Sequence, residues 1–276
     1  MATKEVVNSF IVNYGDFISK GEVSSCDSAF TIQNNVFQSR NNNALIGANI
    51  VSATVVNSKI YIVCNNPDKI IVVDAKTFEF KKEISGGLVI KPQFVYPYED
   101  LAYVSCLGNE VNTNQSWILQ VDADKDVIKD TISVAGGPIK LDRIGVNLYA
   151  ALKHKKQLSI VQIHMGKVTD SIRLDAIAGD IFADSLNRVW VSQISTVKFP
   201  LDINSQGVIV VENENFGIIK SNEQPMNLGS LGVFTGNARR TSIWLSGNQN
   251  VYKIEVKSSS INYNPVLVLN NIGGID

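Results

Sequence analysis

Four short β-rich runs follow one another between residues 52 and 84, and the set then recurs along the chain. The runs are Ser52 to Val56, Lys59 to Cys64, Lys69 to Asp74 and Phe80 to Ile84. Turn-forming residues separate them: Asn57-Ser58, then Asn65 to Asp68, then Asp74 to Thr77. The second run recurs with an aromatic at a fixed place, at Tyr61, Tyr103, Tyr149, Trp190 and Trp244. These aromatics stand about 42, 46, 41 and 54 residues apart by direct subtraction, near the period of a four-stranded propeller blade. The third run recurs at 70–74, 117–122, 158–163, 208–211 and 251–256. An earlier, partial unit fits Phe10 to Asn13, Ser24 to Ala29 and Thr31 to Phe37.

No stretch carries a helical period, and evenly spaced strands without helices point to a sandwich, a barrel or a propeller. The fixed four-run unit selects an all-β chain, a β-propeller of four-stranded blades with six units visible, as one domain over residues 1–276. A lone blade leaves its apolar faces bare, and packing against its neighbours buries them. The recurrent Tyr and Trp are therefore expected at equivalent, largely buried positions. Glycine pairs at 86–87, 136–137 and 273–274 mark the crossovers between blades, where positive φ is needed. Two readings of the ends stay open. Residues 270–276 supply the missing strand of the first unit and close a six-bladed ring, or the chain is a seven-bladed ring cut short.

Composition narrows the function. Of 276 residues, 45% are hydrophobic and 18% charged, so the chain can bury a large core. The net charge of −1 supplies no global field for nucleic acid or anionic membrane. Lys153 to Lys156 reads as a solvated loop. No apolar run reaches the length of a membrane-spanning helix, and no apolar signal segment opens the chain. The N-terminus therefore reads as that of a cytosolic protein or of a mature form. Cys26, Cys64 and Cys106 fit neither a disulfide framework nor a zinc site, and Cys64 and Cys106 read as small buried thiols.

Catalytic chemistry is sparse. A nucleophilic Ser or Cys needs a placed His, and there are two histidines. His154 lies in the basic loop. His164 takes a turn position that other units fill with Asp74, Asp122 and Glu212. Asp122, Asp124 and Asp126 open like a calcium loop, but Val127 and Ser133 replace the Gly and Glu that such a loop requires. No catalytic residue, metal ligand or cofactor is assigned. The long connections between second and third runs are more informative, because long loops on a rigid scaffold carry binding. The candidate ligand-binding residues are Tyr14, Phe17 and Phe199 for apolar contact, and Asn109, Lys153 and Asn248 for polar contact. The loops Tyr14–Glu22, Leu107–Ser116, Lys153–Gln157, Gln193–Gln206 and Gly247–Asn250 are expected on one side.

The segment Phe10 to Phe17, followed by Asn34 to Gln38, resembles the opening of surface-layer-type propeller lipoproteins of Bacteroidetes. The segment from Lys59 to Phe78 resembles their repeat, and similar signatures occur in wider YncE-like propellers. The resemblance covers most of the chain and is strongest from about residue 10 to 135. It implies a seven-bladed propeller tethered by lipid outside the outer membrane. Some members capture cobalamin or iron-carrier ligands for a TonB-dependent transporter. The expectation is thus a non-catalytic cell-surface or periplasmic protein capturing a small nutrient ligand, of corrinoid or iron-carrier type, for an outer-membrane transporter. The chain departs from the family in lacking a lipidated Cys after a signal peptide and in showing six units. A propeller hydrolase or lyase, and a protein-interaction scaffold, are the alternatives.

Overall fold

The computed structural model describes residues 9–15, 20–109, 114–154, 159–197, 200–221, 224–230, 232–257 and 260–268. Among these residues the chain is all-β. Six antiparallel sheets follow one another, each made of consecutive strands, and these are the blades of a β-propeller. Two compact units, residues 1–132 and 133–276, hold three sheets each.

Sheet I of the first unit has three strands, β1 (Ser9–Asn13), β2 (Glu22–Cys26) and β3 (Ile32–Gln33). The short helix α1 (Val36–Arg40) follows. Sheet II holds β4 (Ala48–Val56), β5 (Lys59–Asn66), β6 (Asp68–Asp74) and β7 (Phe80–Ser85). Sheet III holds β8 (Pro92–Tyr98), β9 (Leu101–Cys106), β10 (Trp117–Asp122) and β11 (Val127–Ser133).

In the second unit, sheet IV holds β12 (Pro138–Ile144), β13 (Asn147–Leu152), β14 (Ile160–His164) and β15 (Lys167–Ile172). Sheet V holds β16 (Ile177–Ala183), β17 (Arg188–Ile194), β18 (Gly207–Glu212) and β19 (Ile218–Ser221). Sheet VI holds β20 (Val233–Gly236), β21 (Ser242–Gly247), β22 (Asn250–Glu255) and β23 (Ser260–Ile261), with the short β24 (Leu267–Val268) also paired to β22.

Period-2 alternation explains why the middle strands are apolar throughout. In sheet II, Ile60, Ile62, Ile71 and Val73 face a cluster with Val23 and Phe37. Their neighbours Tyr61, Val63, Ile70 and Val72 face a second cluster with Val95, Val104 and Leu119 of sheet III. Each face of the pleat thus has its own partner sheet. Sheet V repeats the arrangement. Val189 and Val191 join Tyr149 and Ile160 of sheet IV, while Trp190, Val208 and Val210 join Ile243 and Leu245 of sheet VI.

Two expectations need correction. Thr31 to Phe37 is not one strand. Asn35 takes φ 54°, the chain turns, and Val36 and Phe37 bury the start of α1 against Val23. The recurrent aromatic is the third residue of each second strand, as expected, but its burial is unequal. Tyr61, Tyr149 and Trp190 are fully buried, whereas Tyr103 and Trp244 are half-buried. These last two lie in the final sheet of their unit, where no following sheet of that unit supplies a turn to cover the ring. Residues 270–276 and the pair Gly273-Gly274 lie outside the described residues.

The covered aromatics are pinned as well as packed. The Tyr61 hydroxyl donates to Asp126, in the turn between β10 and β11, and Lys59 reaches the same carboxylate at 2.7 Å. The Tyr149 hydroxyl contacts the Asn213 side-chain oxygen in the turn after β18. Trp190 donates its Nε1 to Asp184 at 2.8 Å, and Arg188, paired with Asp184, donates to the Val256 carbonyl at 2.7 Å.

Candidate functional site

The connections between second and third strands of sheets III to V, and the β1–β2 connection of the three-stranded sheet I, are anchored on the crossovers that lead into first strands. In unit 1, Ile50 donates its backbone N–H to the Tyr14 carbonyl at 3.1 Å, and Gly21 donates to Gly47 at 2.8 Å. Both ends of the 14–21 connection are therefore fastened at the entry to sheet II. Leu107 and Gly108 donate to the carbonyls of Lys91 and Ile90. Gly108 has φ +63°, and a Cβ there would stand 1.8 Å from the Gln115 carbonyl oxygen. Only glycine permits that approach.

In unit 2, Lys153 and His154 donate backbone N–H groups to Gly137 and Gly136, both 2.9 Å. These two glycines, like Gly86 and Gly87, have the positive φ expected of them. The connection from Ser195 to Gln206 is the most strongly built. Ser195 N donates to Gly229 O at 3.0 Å, and Met226 N donates to Gln206 O at 3.0 Å. The buried Gln206 side chain accepts from Leu228 N at 3.1 Å and Gly229 N at 2.8 Å. Ser195 Oγ accepts from Leu201 N at 2.9 Å. Above this frame Val197 is fully exposed and Ile203 half-exposed.

The candidate residues fall on these connections as follows. Tyr14 is half-exposed after β1, and Asn109 is exposed after β9. Tyr14 meets the 47–50 crossover through its carbonyl, whereas Asn109 donates its backbone N–H to the Gln115 carbonyl at 3.0 Å, next to Leu107 and Gly108, which meet the 90–91 crossover. Lys153 is exposed beside Gly137. Asn248, at φ 51° in the turn between β21 and β22, donates to Asn227 at 3.3 Å. Asn227 lies in the 226–229 segment that Gln206 holds, so Asn248 and the 195–206 connection share one support. Phe17 and Phe199 lie outside the described residues. Sequence reading passed over Gln206, whose signal was a lone amide between a long polar loop and an apolar strand.

The acids flagged in sequence are spent on structure. Asp74 Oδ1 accepts from the amides of Lys76 and Thr77, and Asp122 Oδ1 from those of Asp124 and Lys125. Those backbone donors hold both carboxyls below the usual carboxylate range. His164 Nδ1 lies 2.9 Å from Asn147 Oδ1, beside its hairpin turn. Burial pushes the thiols of Cys64 and Cys106 up to about 12, away from nucleophilic chemistry. Among the described residues no three His, Cys, Asp or Glu side chains come together as metal ligands. No helix among them is long and apolar enough to cross a membrane.

Three buried carboxylates escaped the sequence reading: Asp142, Asp180 and Asp184. Asp142 in β12 accepts from Ala183 N at 2.7 Å and from Arg240 Nη1 at 2.8 Å. Asp180 in β16 accepts from Phe234 N at 2.9 Å. Each of these two ties one first strand to the next. Ser52 does the same in unit 1, donating to the Gln93 carbonyl at 2.9 Å.

The sheets and their connections define a β-propeller chain whose long second-to-third-strand loops are its most elaborated surface. A family model described as "Domain of unknown function (DUF5074)" matches residues 8–94. A search of curated proteins finds no match. Among solved structures, hydrazine synthase of Kuenenia stuttgartiensis is 15% identical over 86% of this chain and 71% of that one, with a TM-score of 0.66. The WD40 domain of Toxoplasma gondii coronin is 8% identical over 93% and 67%, with a TM-score of 0.68. A protein of unknown function from Bacteroides caccae is 10% identical over 94% and 93%, with a TM-score of 0.60. At such identities the likeness shows the fold, which enzymes and non-enzymes share.

Proposed function

We propose that this chain is a non-catalytic binding protein that recognises its ligand with the connections between second and third strands. The observation that carries the reading is the 195–206 connection. Its base is locked by the Gln206 carboxamide while Val197 and Ile203 stand exposed above it. A rigid base with exposed apolar tips lowers the ordering cost of binding. Tyr14, Phe17 and Phe199 would add apolar contact, and Asn109, Lys153 and Asn248 polar contact. The spending of His164, Asp74, Asp122 and Asp126 on internal bonds favours binding over hydrolysis.

The ligand class is a small nutrient of corrinoid or iron-carrier type, delivered to a TonB-dependent outer-membrane transporter from the cell surface or periplasm. The likeness to surface-layer-type propeller lipoproteins supports this, and the 8–94 match falls where that likeness is strongest. A thermal-shift screen over corrinoids, haem and iron carriers tests it. A ligand at a hundred times its dissociation constant adds about 2.7 kcal/mol of stability. The expected result is a shift with one of these classes that weakens in Lys153→Glu and Asn248→Ala. No shift with any class, or a shift indifferent to both changes and to Phe199→Ala, overturns the reading.

A further inference from the structure

One row of side chains crosses sheet II at the end that carries the turn between its second and third strands. Asn65 of β5 and Asp68 of β6 are direct partners across a hairpin closed by Asn66 and Pro67. On β4, Ala48 pairs with Asn66 and Ile50 with Cys64, so Asn49 stands across from Asn65. Residues opposite one another on paired strands share a face of the sheet. Ile50 and Cys64 belong to the cluster with Val23 and Phe37, so alternation puts the row Asn49, Asn65, Asp68 on the other face, toward sheet III. Asp68 accordingly acts electrostatically on the Cys106 thiol of β9. The row carries three oxygen groups that the fold leaves unused. Asn49 is 5% exposed, and its Oδ1 is buried with no hydrogen-bond partner among the described residues. Asn65 Oδ1 is buried in the same condition. Buried polar atoms are almost always paired, so two orphans side by side point to a ligand between them. The part-buried Asp68 carboxylate has no hydrogen bond or ion pair among the described residues. Its neighbour Lys69 lies on the opposite face, where Glu83 engages it at 3.1 Å.

We propose that Asn49, Asn65 and Asp68 bind one hard divalent cation of calcium type. Two amide oxygens and a carboxylate make an all-oxygen donor set, which suits calcium or magnesium and not the metals that prefer nitrogen or sulfur. Calcium accepts irregular coordination, whereas magnesium demands a near-ideal octahedron. Three donors strung along one row across three strands therefore favour calcium. Asp68 is partly open to solvent, so water completes the shell. A single carboxylate sets the affinity in the weak range, with a dissociation constant of about 10⁻⁴–10⁻³ M. The cation gives both buried amide oxygens a partner and Asp68 a counter-charge. This site stands apart from the ligand reading above, and the metal alone tests it.

Calorimetric titration of the full, chelator-treated chain with calcium chloride is the experiment. The expected result is saturable uptake of one calcium per chain, with magnesium chloride binding about tenfold more weakly or less. Asp68→Asn removes the one charge of the row and should weaken calcium by about tenfold or more, while Asn65→Asp adds a second charge and should tighten it by about as much. Asp124→Asn, in the acidic turn after β10, should leave the affinity unchanged. The proposal is overturned by the absence of saturable uptake, by equal binding of magnesium, or by an affinity indifferent to Asp68→Asn or to Asn65→Asp. Loss of uptake in Asp124→Asn overturns it too, because the ion would then sit in the 122–126 turn. If Asp68→Asn does not fold, the side-chain ¹³C resonances of the parent protein decide. Calcium should move the carboxamides of Asn49 and Asn65 and the carboxyl of Asp68, and shifts confined to other residues sink the site.

Discussion

Tyr61 shows how a repeated residue does more than fill space. Its ring packs between sheets II and III, and its hydroxyl donates to Asp126, which Lys59 also engages. Burial and the adjoining Asp126 push the phenol far above its ordinary range, so it acts as a permanent donor. Tyr61→Phe keeps the packing and removes one bond to a charged acceptor, which costs about 1.5–3 kcal/mol. Tyr61→Ala removes both and costs about 3–5 kcal/mol. Urea unfolding of the two variants separates these contributions. No loss in Tyr61→Phe would mean that the hydroxyl contributes nothing. The aromatic was legible in sequence from its spacing. Its partner was not, because Asp126 lies in the next unit of the repeat and also reads as part of an acidic turn.

At the scale of elements, the 195–206 connection depends on one amide. Gln206 holds Leu228 and Gly229 from the next crossover, so Gln206→Ala leaves two backbone donors without their acceptor. The expected outcome is faster proteolytic cleavage within 195–206, with strand amides of β17 and β18 keeping their exchange protection. Unchanged cleavage would show that Ser195 N to Gly229 O and Met226 N to Gln206 O hold the loop unaided. The β19 edge offers a separate test. Ile218 and Ile219 are about half-exposed on an outermost strand, an arrangement that invites edge-to-edge pairing. Ile219→Lys should raise the concentration at which the protein begins to aggregate, measured by light scattering, without lowering its melting temperature.

At the scale of the whole molecule, stability is shared between neighbouring sheets. Within the second unit, Tyr149 belongs to the cluster between sheets IV and V, and Leu245 to the cluster between V and VI. Tyr149→Phe and Leu245→Ala should therefore add to within about 0.3–0.5 kcal/mol. Tyr149→Phe with Val189→Ala, two residues of one cluster, should depart from additivity by more. Chemical unfolding of the single and double variants measures both cycles. Equal coupling in the two would mean that the unit does not divide into nearest-neighbour pieces.

The repeat period, the turn residues and the alternation within each run determined the blade, its strand order and the fixed place of the aromatic, because these are local properties of the backbone. The connections carrying Tyr14, Asn109, Lys153 and Asn248 followed from that order. Only the tertiary structure decided what those features meet. Trp190 is fully buried and Trp244 half-buried because, within their unit, only Trp190 is followed by another sheet, which neither residue encodes. Asn35 turned an apparent strand into α1 because Val36 and Phe37 found a cluster to enter. Asp142 and Asp180 look in sequence like polar interruptions of apolar strands. They became strand-to-strand bridges because folding set each beside a backbone amide some 41 or 54 residues away, a distance no local pattern can express.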